Sequence, residues 1–456
     1  MDNGCHSYYT TYFLPPTQEK MDTDKKSFLN TFVPPRPNHA VINVMTGINR
    51  LINLYGIPVL RDIPILNRLP VIRGLCDIRH FDIPTYDHIR LQAALNASNC
   101  TFITPNHPEF FTDWMIDKEI SARYVPYTAS WATHDIVNGM GKIGQKFWLA
   151  NHLIAQVPGN TDQALAYSVA TAQSGTPVLL HPEGRVYWQS DRINTIFPGA
   201  AKMALQAAAQ GSRPVLIQPL VWKLKFIRDE EKNLHAEMIR LEKQLKLPSM
   251  PQACLSARLS RLYKEVLWLR FEKSGLQPPK HLNFFEAQSV FLKQLLESLQ
   301  SFGTFDGSLE EQAEAMISAI RQAKRNGQNL DQTVIRHSKE LEYILRTPRL
   351  AYTQETWQQE HFAECIKRLR NDHLAWGSKL NSLHQFVPRP VGGRTAHIRA
   401  AKPLDIRALL AEQDDVNAEW ITQLLHLSLQ DTLNNLNKEL AEQYSNMPRY
   451  PNPLTL

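Results

Sequence analysis

Apolar residues begin to recur regularly near the start of the chain, between Val41 and Tyr55. They are spaced three or four positions apart, which places them on one face of a predicted amphipathic helix. The opposite face carries the polar residues Asn43, Thr46, Arg50 and Asn53. An apolar stripe of this kind either packs into a protein core or lies in a membrane interface. Residues 1–39, rich in Pro, Thr and Asp, are expected to be poorly ordered.

Short apolar runs alternate with longer helical segments through the first half of the chain. The runs Thr101–Thr104, Val178–Leu180 and Val215–Gln218 are typical of buried strands. Alanine-rich segments between them, Asp162–Ser174 and Gly199–Gln210, have the composition of helices. This alternation predicts an α/β layer structure.

Leucines at helical spacing dominate the chain after about residue 228. Ser308, with Glu311 three positions later, forms a capping box that predicts the start of a helix. Another helix is expected at Trp357–Leu369. We therefore predict that residues 228–390 form an all-helical insertion, built as a lid or as an arm for self-association.

A turn-rich connector with Pro388, Pro390 and a Gly pair ends this helical pattern. Thr395–Arg399 has the pattern of a strand, and Val416–Leu440 that of a final amphipathic helix. We expect residues 391–456 to return to the α/β domain, whose first part spans residues 40–227.

Composition narrows the class of protein. The 456 residues carry a net charge of +6, and the basic residues are scattered without long runs, so nucleic acid is not an expected partner. Five widely spaced cysteines indicate neither a zinc site nor a disulfide framework, which favours a reducing compartment. The chain begins without a secretory signal and contains no run of ~18 apolar residues, so we expect a cytoplasmic protein that contacts membranes only from the surface.

The first candidate for chemistry is an Asn106-His107 dipeptide that directly follows a predicted strand. α/β folds place their sites at the carboxyl ends of strands. His107 suits a base near neutral pH, and Asp113, six positions later, could orient its imidazole. The alternative is a turn histidine beside an acidic residue that caps a helix.

The second candidate is the loop that starts at His181 and contains Glu183, Gly184 and Arg185. Gly184 permits a close approach of a ligand to the backbone, and the planar guanidinium of Arg185 suits a phosphate. A salt-bridged surface turn is the alternative interpretation.

In this order and spacing, the motifs resemble those of the glycerolipid acyltransferase family, which includes lysophosphatidate acyltransferases. The Pro-Glu-Gly-Arg segment follows the Asn-His motif by about 70 residues, and an apolar strand expected to end at Pro219 follows about 30 residues later. Phe197–Ala204 and Ala396–Asp405 resemble two further family segments. The resemblance covers about half of the chain and implies a mixed sheet flanked by helices, with the helical segment as an insertion.

Three features depart from the family pattern. Five residues rather than four separate His107 from Asp113, so a wider turn must absorb the extra residue. Gly184 runs directly into Arg185 without the family's Thr. Asn151 stands where an Arg that binds the acceptor's phosphate is expected, with Lys142, Lys146 and Lys202 as candidate substitutes.

The resemblance implies transfer of a fatty acyl group from acyl-CoA or acyl-ACP to a hydroxyl of a glycerol phosphate, lysophospholipid or related acceptor. His107 would be the general base and Asp113 its orienting partner, whereas Asn106, Glu183, Gly184 and Arg185 would bind substrate. No metal or cofactor is implied beyond the acyl carrier as co-substrate. The helix at Val41–Tyr55 and the apolar residues beside the first motif, Phe110, Phe111, Trp114 and Met115, are candidates for membrane contact.

Two other functions stay open on the sequence. One is a non-catalytic lipid- or partner-binding protein on the same scaffold. The other is a soluble hydrolase in which the same His and Asp activate water.

Overall fold

The structure is a computed structural model of the chain and describes residues 31–63, 65–66, 69–125, 127–157, 161–250, 252–279, 281–371 and 389–456. Residues 1–30, most of the segment expected to be poorly ordered, lie outside these described residues. The chain divides into two compact units. The first comprises residues 1–186, 190–227 and 377–445, and the second comprises residues 187–189, 228–376 and 446–456.

Ten strands form two sheets in the described residues. They are β1 Ile78–Asp82, β2 Cys100–Pro105, β3 Ala129–Thr133, β4 Leu153–Gln156, β5 Val178–Leu179, β6 Val215–Phe226, β7 Thr356–Gln358, β8 Arg394–Ala400, β9 Leu404–Asp405 and β10 Arg449–Pro451. The large sheet of the first unit has the order β1-β8-β6-β2-β5-β3-β4, with β9 also beside β6. Strands β6, β2, β5, β3 and β4 run parallel, and β8 and β9 run antiparallel to β6.

The described residues also form sixteen α-helices. They are α1 His39–Ile48, α2 Pro70–Arg73, α3 Thr85–Ala94, α4 Thr112–Tyr124, α5 His134–Asn138, α6 Gly141–Ala150, α7 Asp162–Gln173, α8 Gly199–Gln210, α9 Glu231–Gln244, α10 Leu255–Ser274, α11 Phe284–Ser298, α12 Leu309–Arg325, α13 Gln332–Ile344, α14 Gln359–Leu369, α15 Ile406–Glu412 and α16 Ala418–Gln443. A π-helix, Asn49–Leu54, continues α1.

Helices cover both faces of the large sheet. On one face, α7, α8 and the leucine stripe of α16 pack in one buried cluster with β2 and β6. On the other face, α3, α4 and the end of the π-helix pack in a second buried cluster. The chain is therefore an α/β protein with a mixed sheet flanked by helices, as the sequence predicts. None of the helices in the described residues is long and apolar enough to cross a membrane.

The strand β6 does not end at Pro219 as predicted but continues to Phe226. Proline lacks a backbone N–H and is tolerated only where the ladder needs no donor. Along β6, β9 pairs up to Ile217 and β8 pairs from Leu220 onward, so Pro219 lies in the gap between the two partners. Its carbonyl accepts a hydrogen bond from the backbone of Ala401 at 3.2 Å.

The helix predicted at the start of the chain is present, but Asn53 is not on an exposed polar face. Asn49 and Asn53 are buried, and their amide groups donate to the carbonyl oxygen and the sulfur of Met115 at 2.8 and 3.0 Å. These bonds satisfy the amides, which makes their burial tolerable. Much of the apolar stripe is exposed instead: Val44, Ile48, Leu51 and Ile52. The π-helical turn changes the spacing on which the predicted faces depended.

The second unit is mainly helical and contains α9 to α14. The predicted capping box at Ser308 and Glu311 is present at the start of α12. The unit is not all-helical, because β7 pairs antiparallel with β10. Residues 446–456 therefore lie in this unit and not in the α/β domain, where the sequence pattern predicts them. Leu454 is fully buried there.

Candidate active site

The two motifs meet because the strands that precede them are neighbours. Strands β2 and β5 are parallel and hydrogen-bonded, so their carboxyl ends lie side by side. His107 follows β2 and His181 follows β5. The two imidazole rings stack, with centroids 4.0 Å apart and planes inclined by 16°.

His107 and Asp113 are in direct contact through Nδ1 and Oδ2. A sharp turn absorbs the extra residue between them. Phe111 has a φ of 66°, a value that a bulky side chain rarely adopts, and α4 begins at the next residue. Asp113 therefore lies in the first helical turn, where its Oδ1 accepts the Glu109 N–H at 3.0 Å.

The side chain of Asn106 fastens this loop to the neighbouring strand. Its Nδ2 donates to the carbonyl oxygen of Trp222 at 3.0 Å, and its Oδ1 accepts the Trp222 N–H at 2.9 Å. Asn106 is buried with 2% of its surface exposed. Both ends of its amide thus have partners within β6.

Glu183 joins the second motif to the first. Its Oε1 accepts the backbone N–H of His107 at 2.8 Å. Its Oε2 accepts the backbone N–H and the side-chain amide of Asn194 at 3.1 and 2.8 Å. The carboxylate is buried and holds the two loops together.

Gly184 and Arg185 continue the same loop. Gly184 has a φ of 66°, and a Cβ at this position would lie 2.9 Å from two ring carbons of Phe197. Both constraints require glycine. Arg185 is half-buried in the loop. Asn151, at the position of the expected family Arg, is buried and donates to the Phe147 carbonyl at the end of α6.

A second His–Asp pair, not predicted from the sequence, lies beside the first. The Nε2 of His181 lies 3.0 Å from Oδ2 of Asp117, and its Nδ1 lies 3.0 Å from the carbonyl oxygen of Asn106. Asp117 is one helical turn after Asp113 on α4, so both carboxylates face the same way. The four-residue spacing of two aspartates after the Asn-His motif was the signal that could have revealed it.

Several buried carboxyl groups lie close together in the site. Burial, with the nearby carboxylates of Asp117 and Glu109, raises the pKa of Asp113 well above its usual range. Burial also raises the pKa of Asp117 and of Glu183. An ion pair partly offsets this charge, because Arg394 of β8 donates to Glu109 at 2.8 Å.

The two histidines respond in opposite directions. Burial, and then the neighbouring His181, lower the pKa of His107 well below its usual range. Burial also opposes protonation of His181, but the charge of Asp117 and its hydrogen bond raise the pKa of His181 overall. At neutral pH, His107 is therefore unprotonated, whereas the environment of His181 favours its protonated form.

Three residues could offer ligand atoms to a metal ion, because one atom each of His107, Asp113 and His181 lies within 4.8 Å of the others. An imidazole nitrogen binds a metal in the plane of its ring, at ~2.0–2.1 Å for zinc. The two ring planes are nearly parallel, so their lone pairs do not converge on one point. This arrangement suits two separate His–Asp pairs better than a metal centre.

In comparisons with known proteins, no protein-family model matches the chain, and a search of curated proteins finds no significant match.

Proposed function

We propose that this protein is an O-acyltransferase with a fold like that of the glycerolipid acyltransferases, in which the second unit is largely an insertion. It transfers a fatty acyl group from acyl-CoA or acyl-ACP to a hydroxyl of a glycerol phosphate, lysophospholipid or related acceptor. The observation that carries this proposal is the contact between His107 and Asp113, with Glu183 of the second motif bound to the His107 backbone.

The position of the proton between His107 and Asp113 determines which ring nitrogen of His107 acts as the base. When Nδ1–H donates to Asp113, Nε2 keeps its lone pair and accepts the proton of the acceptor hydroxyl. The hydroxyl oxygen attacks the thioester carbonyl and forms a tetrahedral oxyanion. The oxyanion collapses, the C–S bond breaks, and the thiolate takes the proton from His107. General-base help of this kind contributes ~10²–10⁴ in rate.

Asn106 and Glu183 have positioning roles in this scheme. Their polar side-chain atoms already bind groups of the protein, so they hold His107 in place rather than contact substrate. Arg185, in the loop after Glu183, is the proposed contact for the phosphate or headgroup of the acceptor.

A membrane surface is the proposed partner of α1 and the π-helix that continues it. The π-helix directs its asparagines inward, and the two segments together leave Val44, Ile48, Leu51 and Ile52 exposed. Helix α6 packs beside α1 and exposes Ile143 between Lys142 and Lys146. Apolar side chains with flanking lysines suit an interface with anionic lipids. Met115, one of the residues beside the first motif that are candidates for membrane contact, is buried in the core.

The test offers the purified chain labelled acyl-CoA and acyl-ACP with a panel of glycerol phosphate and lysolipid acceptors. Transfer should occur to at least one acceptor and should fall by ~10²-fold or more in His107→Ala. His397→Ala is the matched control, because His397 also contacts an aspartate, Asp82, at 2.7 Å in the same unit. Normal turnover by His107→Ala would rule the mechanism out.

The alternative functions have distinct outcomes in the same assay. Binding of lipid by the wild-type chain without any transfer would favour a non-catalytic lipid-binding protein. Release of free fatty acid at the same rate with and without acceptors would favour a hydrolase.

A further inference from the structure

The ring of His181 is held in one protonation pattern by its surroundings. Its Nδ1 faces the carbonyl oxygen of Asn106, which only accepts hydrogen bonds, so Nδ1 carries a proton. Its Nε2 faces the carboxylate of Asp117 at 3.0 Å, a second acceptor. A lone pair on Nε2 would repel that carboxylate, so the His181–Asp117 pair binds one further proton.

The same ring stacks on His107 and is therefore placed to act on it. The two ring centroids are 4.0 Å apart, with no other group between the stacked faces in the described residues. A cation beside a base disfavours a second cation, because like charges at this distance repel strongly in a buried site. Stacking also restricts rotation of the His107 ring about its side-chain bonds.

We propose that His181 and Asp117 form a positioning pair for the acyl transfer, which fixes the ring of His107 and keeps it unprotonated at mildly acidic pH. This inference rests on the proposed function for its kinetic consequence, but its electrostatic consequence is independent of turnover. Asp117 supplies the partner carboxylate from α4, and Asn106 supplies the carbonyl from the loop after β2.

The groups that face the two rings support this assignment. Asp113 contacts His107 from α4, Glu183 binds the backbone of His107 from the loop after β5, and Glu109 pairs with Arg394 of β8. The lowered pKa of His107, caused by burial and by His181, agrees with a positive neighbour. Of the surrounding charged groups, His181 is the one stacked directly on the His107 ring.

The test compares pH profiles of kcat/KM for the wild type, His181→Phe and Asp117→Asn. Phenylalanine keeps a stacked ring without a proton, and the asparagine amide of the second variant would donate to Nε2 and leave His181 neutral. Removing the positive neighbour favours protonation of His107, so the acidic limb should move to higher pH by about 1 unit in both variants. On that limb, the activity at a given pH should fall about 10-fold.

A second readout measures the protonation of His107 directly, by nuclear magnetic resonance of the full chain with isotope-labelled histidine. The titration midpoint of His107 should rise in both variants, and in His397→Phe, the matched control, it should equal the wild-type value. Unchanged midpoints in the folded variants would overturn the inference. If His181→Phe does not fold, the titration midpoint of His107 in the isosteric variant Asp117→Asn tests the inference.

The two readouts separate this inference from the proposed function. A wild-type chain without acyl transfer, but with a shifted His107 midpoint in the variants, would refute only the proposed function. Acyl transfer with an unshifted midpoint and an unshifted acidic limb would refute only the role of His181 and Asp117.

Discussion

At the scale of single residues, the groups around His107 favour catalysis at a cost in the free energy of folding. Asp113 is buried among other carboxyl groups, which raises its pKa well above the usual range. The folded state then binds a proton at Asp113 more tightly than the unfolded state does. Stability linked to Asp113 is therefore present below the unfolded pKa, about 4, and is lost as pH rises toward the folded pKa.

Asp113→Asn should consequently stabilise the fold and abolish activity. Asparagine keeps an oxygen for the Glu109 N–H but has no charge to bury. The melting temperature of the variant should therefore exceed that of the wild type at pH 8 and equal it near pH 4. Its amide would donate to Nδ1 of His107 and leave the proton on Nε2, which should lower kcat by about 10⁴-fold. Calorimetry and the transfer assay measure the two effects. The exposed Asp431→Asn is the control, and a lower melting temperature than wild type at pH 8 would contradict the argument.

At the scale of elements, buried ion pairs connect the helices of the second unit. Arg258 of α10 binds Glu242 of α9 through two hydrogen bonds of 3.0 and 2.6 Å. Both side chains are almost fully buried, with 1% and 2% of their surface exposed. Loss of one partner would leave an uncompensated charge in the interior of the unit.

Glu242→Gln should therefore destabilise the packing of α9 on α10 by about 3–5 kcal/mol. Glu342→Gln is the matched control, because Glu342 also pairs with an arginine, Arg321, but both side chains are partly exposed. That pair should contribute only about 0–1 kcal/mol. Hydrogen exchange measures each change locally, in α9 and α10 for Glu242→Gln and in α12 and α13 for the control. This avoids a single unfolding energy for a chain of two units. Equal effects of the two variants would refute the distinction.

At the scale of the whole molecule, the exposed apolar face of α1 and the following π-helix is the feature that the packed core leaves unexplained. Buried Asn49 and Asn53 occupy the side toward α4, and Val44, Ile48, Leu51 and Ile52 of the stripe remain exposed. A membrane surface would cover these residues without any change in the core.

Val44→Ser/Leu51→Ser should lower binding to vesicles that mix phosphatidylcholine with phosphatidylglycerol, by about 10-fold or more. Leu427→Ser on α16 is the matched control, since Leu427 and Leu51 have almost equal exposure, 59% and 58%. Cosedimentation with the vesicles measures the effect. Equal binding by the double variant and the control would show that α1 and the π-helix are not the contact.

Local patterns were sufficient to predict several helices and four of the ten strands, because hydrophobic spacing and capping residues act over a few neighbouring positions. The capping box at Ser308 is one example, and α8, predicted at Gly199–Gln210, is another. The same patterns missed the continuation of β6 past Pro219 and the pairing of β7 with β10. Both depend on partners that are remote in the chain, at residues 394–400 and 449–451.

The sequence by itself determined the chemistry available to this protein: an imidazole after one strand, a Glu-Gly-Arg loop after another, and two aspartates one helical turn apart. Only the tertiary structure decided which groups meet, because the neighbourhood of β2 and β5 is set by strand pairing between distant segments. That pairing stacks His181 on His107 and buries both aspartates beside them. Protonation follows from burial and nearby charge, so the lowered pKa of His107 is a property of the folded chain.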